Sequence, residues 1–193
     1  MRALEFALIE MAFIPAHSPH PPLKIVCVIR KMSFVSLEKI HPLLYIGDVD
    51  AAQNDVWTHV LCTAGCRHES NHKVTNCPFL DTIDIDKQPV WIAEYHIRNG
   101  ALLLNTILRK KTNEKSAVLV HCQAGMNRSA SVIVAYAIGI GWTAQEAIDY
   151  VRSQNSTRLQ VRPKAAAVTN RVFENVLHKL TWDDGLLVRS SNQ

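Results

Sequence analysis

"VLVHCQAGMNRSASVIVAY", Val118 to Tyr136, is the stretch whose reading decides the fold. "SAVLVHC" is short and nearly all apolar, which predicts a central strand buried on both faces. "SASVIVAYAIG" predicts a helix apolar on most sides and therefore buried, stopped by Gly139 and Gly141. Between the two lie a thiol, Cys122, a glycine, Gly125, and a guanidinium, Arg128.

A strand that feeds a helix through a short loop leaves backbone N–H groups at the helix N-terminus, which with the dipole form an anion site. Gly125 lets the loop curl so that successive N–H groups point inward. The loop from Gln123 through Ala124, Gly125, Met126 and Asn127 to Arg128 is thus a candidate phosphate cradle. Arg128 adds a planar fork that binds two oxygens at once, which Lys cannot do. Cys122 lies at the base of the cradle, where positive potential lowers a thiol below its free value of roughly 8.5. An oxyanion held over a nucleophile is an arrangement for phosphoryl transfer to sulfur.

Working outward, "LLYIG" and "THVLCTA" read as strands, and "CPFLDTIDID" alternates as a strand does. "AGCRHESNHKVTN" reads as a polar loop. Pro89 opens a helix whose apolar stripe runs through Val90, Ala93, Ile97, Ala101, Leu104 and Leu108, with Lys110 and Lys111 at its negative end. Thr143 and Glu146 form a capping box ahead of "AQEAIDYVRSQ". Val168, Val172, Val176 and Leu180 mark a last helix after Pro163. Strands alternating with helices imply an α/β fold, a central mostly parallel sheet covered by helices on both faces.

Residues 1–31 differ from the rest, with an apolar start and a cluster of Pro15, Pro19, Pro21 and Pro22 that reads as a linker. The expected organisation is an N-terminal extension over 1–31, a catalytic domain over 32–182 and a tail over 183–193. The apolar segment 1–14 is read as a self-association element that makes a homodimer. Glu5 and Glu10 interrupt what would otherwise suggest a signal peptide. No apolar run reaches the roughly 18 residues of a membrane span. Five cysteines in 193 residues, an odd count in a chain of this length, argue against a disulfide scaffold. They favour a reducing compartment, cytoplasmic or nuclear. The formal net charge of +4 is too small to indicate nucleic acid and suits an anionic substrate.

"HCQAGMNRS", His121 to Ser129, resembles the His-Cys-x5-Arg-Ser/Thr signature of cysteine-dependent protein phosphatases, closest to the dual-specificity branch and somewhat like its poxvirus-type members. The resemblance runs from about Ser33 to Leu180. It includes "LLYIGD" and the Asn-x-x-Phe-x-x-x-Leu pattern at Asn170, Phe173 and Leu177. It implies the cysteine phosphatase fold, phosphoprotein substrates carrying phosphotyrosine, phosphoserine or phosphothreonine, and no cofactor or metal. It implies Cys122 as the nucleophile of a phosphocysteine intermediate and Arg128 with the loop amides as the phosphoryl holder. Ser129 would donate a hydrogen bond to the thiolate. His121 would order the loop and help depress the Cys122 pKa.

Thiolate attack also needs a carboxylic acid to protonate the leaving oxygen. In the family an Asp stands some way before the Cys, between a strand and the long helix. Asp81, Asp84 and Asp86 are available, and Asp86 fits best, immediately ahead of the Pro-initiated helix.

Other groupings weigh less. Cys62, Cys66, His68, His72 and Cys77 crowd together without a Cys-x2-Cys pair, so no metal is expected. The four tryptophans are scattered and read as core. Arg152 and Arg158 read as a solvated face, with a second phosphate site as the alternative. Asn127 departs from the usual Ser of the branch and occurs in RNA 5′-triphosphatase relatives. An RNA 5′ end is therefore the alternative substrate, and a non-catalytic phosphoprotein-binding module the other rival.

Overall fold

Among the described residues of the computed structural model, five short strands build one mixed sheet: β1 (Phe34–Ser36), β2 (Leu44–Gly47), β3 (His59–Cys62), β4 (Lys73–Asn76) and β5 (Val118–His121). The structure describes residues 33–68, 72–81, 89–110 and 116–182, which all belong to one compact unit, Lys31–Gln193. The segments 1–31 and 183–193, the self-association element 1–14, and both Asp84 and Asp86 lie outside the described residues.

The strand order is β1-β2-β5-β3-β4. β5 pairs in parallel with β2 and β3, β3 pairs in parallel with β4, and β1 alone runs antiparallel, against β2. All four residues of β5 are buried, as a central strand covered on both faces requires. The chain leaves β2, builds β3, and only later inserts β5 between them. That crossover makes the carboxyl end of β5 the place where a parallel sheet opens a crevice for ligands.

The described residues include four α-helices: α1 (Val90–Arg109), α2 (Arg128–Gly139), α3 (Ala144–Leu159) and α4 (Arg171–Lys179). Their buried faces join Leu44, Ile46, Leu61, Val118 and Val120 in the larger core. Alternate strand residues Val60 and Leu119 face the other way, onto Trp57, Phe34, Tyr45 and the single turn Ala51–Gln53. Among the described residues, α-helices cover one face of the sheet, and the aromatic cluster with the short helical turn Ala51–Gln53 lies on the other, so helices flank the sheet as expected. α1 and α2 cross closely at Gly100, where a Cβ would lie 2.6 Å from Val132 Cγ2.

Three local readings are corrected. Lys73–Asn76, taken for loop, is the edge strand β4, whose exposed ends need no apolar pattern. Of Cys77–Asp86, taken for strand, residues 82–86 lie outside the described residues, and among the described ones Cys77–Asp81 adds the bonds Cys77 N–H to Cys62 O (2.8 Å) and Phe79 N–H to Thr63 O (3.4 Å) without forming a strand. Pro78 lacks the donor that would continue the ladder. The last helix starts at Arg171 and not at Val168: Val168 has φ 49°, and the Asn170 side chain caps the helix by accepting from the N–H of Val172 and Phe173. The capping box of Thr143 and Glu146 forms as its sequence predicts. Trp57 is buried, and Trp142 and Trp182 pack against the core, but Trp91 is 69% exposed on α1.

Candidate active site

Cys122 follows β5 directly and is 2% exposed. The loop behind it is held from outside by its carbonyl groups. Gln123 O accepts from Val49 N–H (3.3 Å) and Met126 O from Val168 N–H (2.9 Å). Ala124 O accepts from Arg158 Nη2 (2.8 Å), and Gly125 O from Asn155 Nδ2 (2.8 Å). Four successive carbonyls turned outward leave the following N–H groups turned inward, because the two point oppositely across each peptide plane. Gly125 makes the bend at φ +67°. A Cβ there would strike Gly47 O and lie 2.7 Å from Arg158 Nη2.

Asn127 sits at the N-cap of α2 without capping it. Its Oδ1 instead accepts from Thr169 N–H (2.8 Å), Thr169 Oγ1 (3.0 Å) and Asn170 N–H (3.2 Å). The first-turn N–H groups of α2 are therefore not taken by a capping side chain. Cys122 receives two of the loop's amides: its sulfur accepts from the N–H of Met126 and of Ser129. The Ser129 hydroxyl stands 3.5 Å from it as a further donor. Burial pushes the Cys122 thiol up; the Ser129 hydroxyl, the two amides and the Arg128 charge outweigh it, and the net shift is downward.

Arg128 opens α2. Its Nη1 donates to Phe79 O (3.2 Å), and its Nε lies 4.0 Å from Asp81 Oδ2. That Nε is buried and has no hydrogen-bond partner among the described residues. A buried donor without an acceptor is costly, and an oxyanion in the cradle would satisfy it. Asp81 itself is tethered by Asn170 Nδ2 (3.0 Å).

His121 is wholly buried, with Nδ1 3.1 Å from Cys122 O and Nε2 3.2 Å from His68 Nε2. Burial, above all, holds it down to about 4. It is uncharged at neutral pH, so it touches the loop through its hydrogen bond and adds no positive charge to lower Cys122.

Arg158 and Asn155 are the residues that the sequence reading missed. Arg158 is fully buried, and neither the solvated face nor a second phosphate site describes it. It pairs with Asp48 Oδ2 (2.8 Å), and its Nε donates to Asn155 Oδ1 (2.7 Å). Arg152 is also engaged, with Glu174 (2.8 Å) and the carbonyls of Ala167 and Val168 (both 3.0 Å). The signal was present: Ala147, Ile148, Val151, Asn155 and Arg158 continue one buried face of α3 at helical spacing.

A family model described as dual specificity phosphatase, catalytic domain, matches residues 50–167, more than half of the chain. The Protein phosphatase Slingshot homolog of Xenopus laevis is 26% identical over 159 residues, 75% of this chain and 22% of that protein. Protein phosphatase Slingshot of Drosophila melanogaster is 35% identical over 81 residues, 42% of this chain and 7% of that protein. The chain thus spans less than a quarter of the length of these relatives. Human DUSP28 superposes with a TM-score of 0.53 at 20% identity, covering 84% of this chain and 95% of that one. The Yvh1 phosphatase domain of Chaetomium thermophilum gives 0.51 at 21% identity, covering 70% and 88%. Those two likenesses concern the fold, and with the matched catalytic-domain model they lead to one statement: this chain belongs to the dual-specificity phosphatase family.

Proposed function

We propose that this chain hydrolyses phosphate monoesters on protein tyrosine and serine or threonine through a phosphocysteine at Cys122. The observation that carries the reading is the pairing of a buried, down-shifted thiol with a buried, unsatisfied Arg128 Nε at the mouth of one loop. The inward amides and Arg128 hold the phosphoryl oxygens while the Cys122 thiolate forms the S–P bond and the P–O bond to the protein breaks. A carboxylic acid protonates the leaving oxygen. The resulting carboxylate then takes a proton from the water that cleaves S–P, and Ser129 stabilises the departing thiolate. Asp86 is the acid in this scheme, ahead of Asp84. Asp81 is occupied by Asn170 and stands beside Arg128. His121 positions the loop by hydrogen bonding.

The RNA alternative rested on Asn127. That side chain is committed to Thr169 and Asn170, a structural task that needs no special substrate. Phosphate release from a phosphotyrosine peptide and from a 5′-triphosphate RNA, measured side by side, tests the proposal. Peptide turnover that disappears in Cys122→Ser is expected. Turnover confined to the RNA contradicts it, and peptide binding without turnover favours the non-catalytic module. Asp86→Asn should lower peptide turnover by about 10²–10⁴-fold and flatten the alkaline limb of the pH profile, with Asp84→Asn near wild type. The reverse ranking moves the acid to Asp84. The proposed self-association through residues 1–14 predicts a larger mass in sedimentation for the full chain than for residues 32–193 beyond the deleted segment.

A further inference from the structure

A second group of reactive side chains stands beside Cys122, and apart from His121, which holds the loop, the phosphatase reaction does not use it. Cys62 ends β3 directly opposite His121 in the sheet register. His68 reaches from the loop after β3 to place its Nε2 3.2 Å from His121 Nε2, ring edge to ring face at 89°. One donor atom from each of Cys62, His68 and His121 lies within 4.8 Å of the others. Cys62 and His121 are fully buried. Cys66 lies outside that group but next to Cys62, its thiol hydrogen-bonded to Cys62 and 3.8 Å from the Gln123 side-chain oxygen.

The tautomers favour coordination. His121 Nδ1 faces the Cys122 carbonyl, which can only accept, so the neutral ring carries its proton there. Its Nε2 therefore presents a lone pair toward His68 and Cys62. A ligating histidine is typically fixed in this way, with its other nitrogen donating to a backbone carbonyl. Tetrahedral zinc has Zn–N and Zn–S lengths of about 2.0 and 2.3 Å, which puts neighbouring donors roughly 3.3–3.8 Å apart. The two imidazole nitrogens already meet that spacing; by the same geometry the Cys62 sulfur needs a shift of about 1.3 Å at most, and Cys66 has to turn in from its contact with Gln123.

We propose that Cys62, Cys66, His68 and His121 form a structural site for a thiophilic divalent cation, Zn²⁺ foremost. Binding releases one proton from each thiol, and two thiolates with two neutral imidazoles make a site of zero net charge, which suits its burial. The ion ties the loop of Cys66 and His68 to the strand end that carries Cys122. The expectation of no metal followed from the absent Cys-x2-Cys pair. His121, fifty-three residues beyond His68, joins the group only through the β3–β5 register.

Cobalt titration of the reduced, chelator-free full chain tests this, since Co²⁺ reports thiolate ligation and tetrahedral geometry by absorption. One equivalent should give thiolate-to-cobalt charge transfer and intense visible bands, both displaced by Zn²⁺. Cys122→Ser should keep them, because the nucleophile is not a ligand. His68→Ala and Cys66→Ser should weaken binding by about 10–100-fold, with folding checked by thermal melting. Zn²⁺ should raise the melting temperature of wild type and of Cys122→Ser but not of His68→Ala. Bands that vanish in Cys122→Ser and survive in His68→Ala would mean a metal on the catalytic thiolate. Weak octahedral absorption would mean an adventitious ion only. Either outcome overturns the proposal, whereas the hydrolytic reading stands or falls separately on peptide turnover.

Discussion

In the proposed mechanism a single side chain, Ser129, tunes the reaction. Its hydroxyl stands 3.5 Å from Cys122 Sγ, and it opposes a burial that on its own raises the thiol. A hydrogen bond to a charged group contributes about 2 kcal/mol, roughly thirtyfold in rate. Ser129→Ala should therefore slow cleavage of S–P by about that factor, so that phosphocysteine accumulates and a burst of dephosphorylated peptide precedes the steady state. In that mechanism activity should rise with pH as Cys122 ionises, and loss of the donor should raise the thiol pKa. The acid limb of kcat/KM should accordingly move to higher pH; a limb that stays in place, with no burst, would remove Ser129 from this role. Cys122, Gly125, Arg128 and Ser129 were legible because their chemistry is local: eight consecutive residues place them on one loop and the helix start that follows it. His121 was half legible. Its place beside Cys122 was evident, but its burial, and so its neutrality, is set by β3 and the His68 loop.

At the scale of elements, α3 is the buttress of the phosphate loop. Arg158 joins the carbonyls of Ala124 and Gly125 to Asp48 and Asn155, with no exposure to water. Removing one partner of a buried pair leaves the other uncompensated, at about 3–5 kcal/mol. Arg158→Met should lower stability in urea by that amount and weaken inhibition by phosphate or vanadate, and an effect under 1 kcal/mol, small against that estimate, would contradict the buttress. The α1–α2 crossing makes a second prediction. Helix propensity favours Gly100→Ala by about 1 kcal/mol, but the new Cβ would sit 2.6 Å from Val132 Cγ2. Overpacking should win, with a net loss of about 1–3 kcal/mol that Val132→Ala partly restores in the double variant. Most elements were legible, α1 from its apolar periodicity and α3 from its capping box. β4 was not, because an edge strand can be polar. Asn155 and Arg158 escaped because polar residues on a helix are ordinarily solvated, and only the carbonyl-lined loop makes their burial favourable.

The whole molecule carries a pH signature in its histidines. His41, His68, His72 and His121 all have pKa values lowered mainly by burial, His121 to about 4. Each is depressed relative to the unfolded chain, near 6.5. Stability is thus constant above that pH and falls as the pH drops from about 6.5 toward 4, because the unfolded chain takes up protons that the folded one refuses. For His121 alone the shift corresponds to about 3 kcal/mol at full effect. Urea unfolding of the metal-free protein between pH 7.5 and 4.5, taken as rough limits around that window, should show this loss. A flat profile would mean that these rings are solvated. The topology itself required both levels of evidence: local patterns implied an α/β sheet, but the insertion of β5 between β2 and β3 is a long-range fact.

Covalent labelling of Cys122 tests the central claim most directly. A rapid quench with ³²P-phosphotyrosine peptide, followed by peptide mapping, should find label on the fragment containing Cys122 during turnover and none in Cys122→Ser. Turnover with no labelled cysteine, or label on another residue, would contradict a phosphocysteine mechanism at this loop.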